Sequence, residues 1–135
     1  MRKLIMSIAA GLMMAGGLAG TAVADRCKDV DIHVYNDFEH DGAPFQVKVI
    51  DFDYWDDTEG KWREENWIGN TLYDPGDDFH LVDNRNLEYV GEEDDVVIRV
   101  QFKYLTTSNG WSETLDSESA PFHCDDGEHV NVHLN

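Results

Sequence analysis

Val30, Ile32 and Val34 alternate with Asp31, His33 and Tyr35 until Asn36-Asp37 interrupts them. A period of two marks a strand with one buried face. The same reading applies further on. Residues 45–55 are rich in Val, Ile and aromatics, and a second strand over residues 61–68 follows a turn. Asp74-Pro75-Gly76-Asp77 is a strong turn signal. A short strand is predicted over 79–82, a break at Asp83-Asn84-Arg85-Asn86, and a brief resumption over 87–90. The clearest strand is 96–105, with Val96, Ile98, Val100, Phe102 and Tyr104 on one face and Arg99, Gln101 and Lys103 on the other. Residues 106–110 turn the chain into a strand over 111–115, and Val130, Val132 and Leu134 alternate once more. Seven or eight short strands with frequent turns predict an all-β fold, a single antiparallel β-sandwich or small barrel.

The first residues do not belong to this pattern. Arg2 and Lys3 precede an uncharged run of apolar and small residues, then Ala22-Val23-Ala24 and Asp25. That is the layout of a secretory signal peptide over residues 1–24. The run is too short and glycine-rich for a good membrane span. Arg26 before Cys27 argues against a lipid anchor. The expected mature chain, 25–135, is one domain in the periplasm or outside the cell, with no membrane insertion after cleavage.

Export changes the meaning of the two cysteines. Cys27 and Cys124 are expected to form a disulfide. One lies just before the first strand and the other a little before the last, so the bridge brings the starts of both strands together. As neighbours they run parallel. First and last strands lie side by side in many immunoglobulin-like sandwiches, and the pattern resembles that architecture. It lacks the buried-Trp and inter-sheet cysteine spacing of antibody domains.

The chain carries 28 acidic and 10 basic residues, a formal charge of −18. Loss of Arg2 and Lys3 with the signal takes the balance to −20. Such a surface repels nucleic acid and anionic membranes. It suits salt tolerance, cation binding or a basic partner. Asp outnumbers Glu 18 to 10 and lysines are few, which leans toward a salt- or cation-rich setting.

The densest acidic stretch, DFDYWDDTEGKWREEN at 51–66, fails as an EF-hand in every frame, because Gly and the acids never fall at the required positions together. It reads instead as a β-hairpin with Asp57-Thr58-Glu59-Gly60 at the tip. A four-residue loop sets Trp55 opposite Trp62 and Asp53 opposite Glu64. A three-residue loop still sets Asp53 opposite a glutamate, Glu65. Like charges in that position destabilise a sheet. Solvent, a base such as Arg99 or Lys103 on the next strand, or a bound cation would relieve them. Ile50, Phe52, Tyr54 and Trp67 are assigned to the core. Trp55 and Trp62 are then left near the tip beside Asp51, Asp53 and Glu64. This is the candidate ligand patch, suited to a glycan or to a basic protein.

Metal ligands are the second candidate class. Asp74, Asp77 and Asp78 around Pro75-Gly76 could hold Ca²⁺, as could residues 92–95 or Asp125-Asp126. Six histidines offer Cu²⁺ or Zn²⁺ sites. His129 and His133 are about 13–14 Å apart on one strand face, too far to share an ion, but His33 could meet either across a strand pair. No cofactor is required by any motif. No nucleophile elbow, HExxH or phosphate loop is present. The leading expectation is therefore a binding module for a protein or glycan, ahead of a divalent-metal protein. A minor hydrolase using a carboxylate pair comes last.

Overall fold

A computed structural model describes residues 26–67, 69–91, 94–108 and 110–135. Residues 1–24, expected to be a signal peptide, and the expected cleavage site lie outside them. Twelve strands follow in order: β1 (Arg26–Tyr35), β2 (Glu39–His40), β3 (Ala43–Pro44), β4 (Val47–Asp56), β5 (Lys61–Glu64), β6 (Leu72–Tyr73), β7 (Asp78–Gly91), β8 (Asp95–Val96), β9 (Ile98–Tyr104), β10 (Leu115–Glu118), β11 (Phe122–His123) and β12 (His129–His133). The described residues contain no helix. One sheet has the order β12-β1-β7 and another β10-β9-β4-β5, with β6 pairing β4. The pairs β8–β11 and β2–β3 stand apart from these.

Val30, Ile32 and Val34 from β1, Val130 and Val132 from β12, Leu81 and Leu87 from β7, Phe52 and Tyr54 from β4, and Val100 and Phe102 from β9 form one buried cluster. Both larger sheets thus contribute their apolar faces to a single core. Cys27 and Cys124 are fully buried and bonded, 97 residues apart in sequence. Closing so long a loop removes about 4–5 kcal/mol of unfolded-state freedom in the chain-entropy description. β1 and β12 are parallel neighbours, Ile32 opposite Val130 and Val34 opposite Val132, as the cysteine positions imply.

Three local expectations are corrected. Residues 78–91 form one strand with no break at Asp83–Asn86. Asn84 takes a left-handed backbone (φ 55°), and its N–H donates to the Asp31 carboxylate at 2.8 Å. Asn tolerates that conformation, so its turn-forming character produces register shifts inside a β1–β7 ladder rather than an end to it. Ile50 is only partly buried. A register shift between Val49 and Asp51 moves the inward phase of β4 from Val47 and Val49 to Phe52 and Tyr54, skipping it. The strand expected at 111–115 is reduced to a single bridge, Leu105 to Trp111. There the Ser112 N–H donates to the Tyr104 carbonyl at 2.9 Å, but the Tyr104 N–H goes to the Ser112 hydroxyl at 3.0 Å, so a side chain takes one of the two ladder bonds and β10 begins only at Leu115.

Candidate functional site

The β4–β5 hairpin has the four-residue loop. Trp55 faces Trp62, Asp53 faces Glu64 and Asp56 faces Lys61. Gly60 occupies the left-handed slot (φ 66°), its N–H donating to the Asp56 carbonyl at 2.8 Å. The organiser of the turn is Asp56, which the sequence reading passed over. Its buried carboxylate accepts the N–H groups of Thr58 and Glu59 at 3.0 and 3.1 Å. It also accepts the Arg63 guanidinium at 2.8–2.9 Å. An Asp followed by free N–H groups two and three residues on was the available signal.

The like-charge conflict is met by the expected base. Arg99, opposite Asp53 on β9, donates to its Oδ2 through Nε (3.2 Å) and Nη2. The same guanidinium lies 4.2 Å from the Trp62 ring centre. Lys103 instead stands opposite Lys48. Asp53 is only 3% exposed, and its Oδ1 is buried without a hydrogen-bond partner. An orphaned acceptor of this kind costs about 1–3 kcal/mol. Trp55 and Trp62 are half-buried and meet edge to face, centres 5.3 Å apart. Burial, opposed by the Phe52 N–H, and then the nearby Asp53 and Glu64, raise the Asp51 carboxyl above the ordinary Asp range.

Two more arginines repeat the arrangement. Arg85 pairs with Glu65 (Nε to Oε2, 2.7 Å) and lies 5.8 Å from the Phe52 ring centre. Arg63 lies 4.0 Å from the Tyr89 ring centre. Tyr89 in turn donates its N–H to the buried Tyr54 hydroxyl at 3.2 Å. Burial, against the pull of that N–H, pushes Tyr54 up to about 12. Arg26 pairs with Glu88 at 3.3 Å. All four described arginines are thus neutralised internally, and three of them lie over aromatic rings.

Between the end of β5 and the bulge of β7 lies a polar cleft. Glu64, Asn66, Asn84, Asn86, Glu88 and Tyr89 surround it, with the Arg85–Glu65 pair. The side chains of Glu64, Asn66 and Asn84 make no hydrogen bond to another described residue. Glu64 also borders the neighbouring grooves that carry Asp53 and Trp62 on one hand and Asp51 and Trp67 on the other. Asn66, Asn84 and Asn86 were missed by the sequence reading. Nothing in the chain order brings residues 64–66 to residues 84–89.

The metal candidates are dispersed. Asp77 Oδ2 accepts the Asp74 N–H at 2.8 Å, Asp74 holds the Gln46 amide, and Asp78 holds His33. Asp126 Oδ1 accepts the Lys28 N–H at 3.1 Å. His33 does not meet a β12 histidine. The parallel register sets it opposite Asn131 and sets Asp31 opposite His129. Its partner is His80, directly across on β7. Each of the six histidines lies within 3.5 Å of a different aspartate: His33–Asp78, His40–Asp41, His80–Asp83, His123–Asp95, His129–Asp31 and His133–Asp37. Among the described residues, no three His, Cys, Asp or Glu side chains are grouped so as to hold a metal ion.

No family model, curated protein or solved structure matches the chain.

Proposed function

We propose that the protein is an exported, disulfide-tied binding module of immunoglobulin-like sandwich architecture. It acts in the periplasm or outside the cell and takes a hydroxyl-rich ligand, a glycan, in the cleft beside β5. The observation that carries this reading is the set of polar side chains Glu64, Asn66 and Asn84, which make no hydrogen bond to another described residue, around a concave surface. Amides and carboxylates on a concave wall suit vicinal hydroxyls, which both donate and accept. A basic protein partner is supported less well. Arg63, Arg85 and Arg99 answer the Asp56, Glu65 and Asp53 carboxylates in and beside the hairpin, and Arg99 already covers one face of Trp62.

Glycan-array binding by the mature protein tests the reading. Asn66→Ala and Glu64→Gln should each abolish capture while leaving the melting temperature unchanged. Capture that survives both removes the cleft from the reading. Loss only in Trp55→Ala with Trp62→Ala moves the site to the hairpin tip. Turnover of the captured glycan, abolished by Glu64→Gln, would make the protein the carboxylate-pair hydrolase instead.

A further inference from the structure

Four histidines, His33, His80, His129 and His133, lie on the β12-β1-β7 sheet, and their neighbours are not equivalent. His129 has only Asp31 within ion-pair reach, at 3.3 Å. His133 is stacked on Tyr35, centres 4.5 Å apart, and pairs with Asp37 at 2.5 Å. His33 and His80 are direct cross-strand partners in an antiparallel pair, their ring centres 4.6 Å apart. His33 Nε2 is 3.2 Å from Asp78 Oδ2, and His80 Nδ1 is 3.1 Å from Asp83 Oδ1. Two imidazole–carboxylate pairs, Asp78–His33 and His80–Asp83, therefore meet through the edge-to-face contact of their rings.

We propose that this quartet binds a borderline divalent transition ion, Cu²⁺ or Zn²⁺, through His33, His80 and Asp78. The spacing supports this. With ligand bonds of about 2.0–2.1 Å, two donors on a tetrahedral ion stand about 3.3 Å apart. His33 Nε2 and Asp78 Oδ2 already have that separation. Side chains directly opposite on antiparallel strands have Cβ atoms about 4.5–5.5 Å apart, which lets two imidazoles reach one ion. The third donor is supplied when the exposed His80 ring turns from Asp83 toward His33, and Asp83 then remains as its outer partner or as a fourth oxygen. Two nitrogens and one or two oxygens suit Cu²⁺ and Zn²⁺. Ca²⁺ takes oxygen ligands. The site shares no residue with the β5 cleft and does not rest on the glycan reading.

The test titrates the mature protein with Cu²⁺ and separately with Zn²⁺ by calorimetry, and records the electron paramagnetic resonance of the Cu²⁺ form. The expected result is one ion per chain, with two coupled nitrogens and no displacement by millimolar Ca²⁺. His80→Ala should weaken binding more than about a hundredfold, beyond the usual loss of an outer partner, and reduce the coupled nitrogens to one. Asp78→Asn should weaken it without changing the nitrogen count. Both residues are exposed, so neither change endangers the fold. His129→Ala and His40→Ala should leave binding intact. Absence of binding overturns the proposal. So does affinity unchanged in His80→Ala, or an equal loss across all six histidine variants.

Discussion

The outer face of the β10-β9-β4-β5 sheet and the outer face of the β12-β1-β7 sheet are built from the same materials: carboxylates, aromatic rings and bases. They differ in the base. On the first, Arg99 holds Asp53, and nearby Arg63 and Arg85 hold Asp56 and Glu65. Arginine is always charged, so it lets a carboxylate be buried, and Asp53 and Asp56 are 3% and 2% exposed. On the second, four of the bases are histidines, and their pairs stay more open to solvent. The net charge therefore says little about either face. Arg63, Arg85 and Arg99 gather around one hairpin, and the β12-β1-β7 sheet carries four histidine–aspartate pairs beside its Arg26–Glu88 pair.

The largest separation of the two faces should come from Arg63→Ala. It strands the buried Asp56 carboxylate and is expected to cost about 3–5 kcal/mol, read from the urea midpoint. A cost near zero would place Asp56 in contact with water. On the histidine side the main restraint is covalent. Cys27→Ser with Cys124→Ser should cost about 2–5 kcal/mol, with amide protection lost first in β1 and β12. Uniform loss would mean the bridge acts on the whole domain. Along β4, Asp53→Asn should cost less than Asp56→Asn, because Asp53 uses one oxygen and Asp56 uses both. Equal costs would show that Oδ1 of Asp53 is satisfied in solution.

The smaller effects are pH-dependent. Tyr54 titrates higher in the folded state than in the unfolded one. Its contribution to stability is intact below pH 10 and is lost as pH rises from about 10 toward 12. Phenolate absorbance should show one tyrosine ionising only with unfolding. For Asp51, raised in the fold, the sign is the same. The favourable contribution is present at acid pH and disappears as pH rises through its shifted value. Asp51→Asn should therefore be slightly more stable than the parent at pH 7 and not at pH 3. A change that is the same at both pH values would remove the electrostatic explanation. Last, His129→Ala on the exposed face should shift stability by no more than about 0.5 kcal/mol.

The alternating stretches of β1, β9 and β12 were legible because Val30 to Val34, Ile98 to Phe102 and Val130 to Val132 each bury every second side chain. The hairpin register was legible in outline because only a four-residue loop or a shorter one fits Gly60, and Asp53 met a glutamate in both. Arg99 followed from its place on the polar face of β9. β7 was not legible. Asn84 in a left-handed turn and Asn84 in a left-handed bulge have the same local signal, and only pairing with β1 separates them. The same non-local pairing puts His80 opposite His33, a contact hidden while 79–82 and 87–90 read as separate fragments. The cleft depends on that bulge too, which is why the acidic-aromatic tip drew the attention and Asn66, Asn84 and Asn86 did not.

The pairing of β1 with β12 also sets a timetable. As the chain folds from its N-terminal end, β1 meets its antiparallel partner β7 about 50 residues later, a moderate loop to close. Its parallel partner arrives only with residues 129–133. Until then one edge of β1 is an open template for another chain. Contacts this distant in sequence slow folding, and the second cysteine emerges just ahead of the missing strand. Oxidation at that moment would tether the strand as it arrives, so the oxidant governs how long the open edge persists and, with it, the yield of monomer.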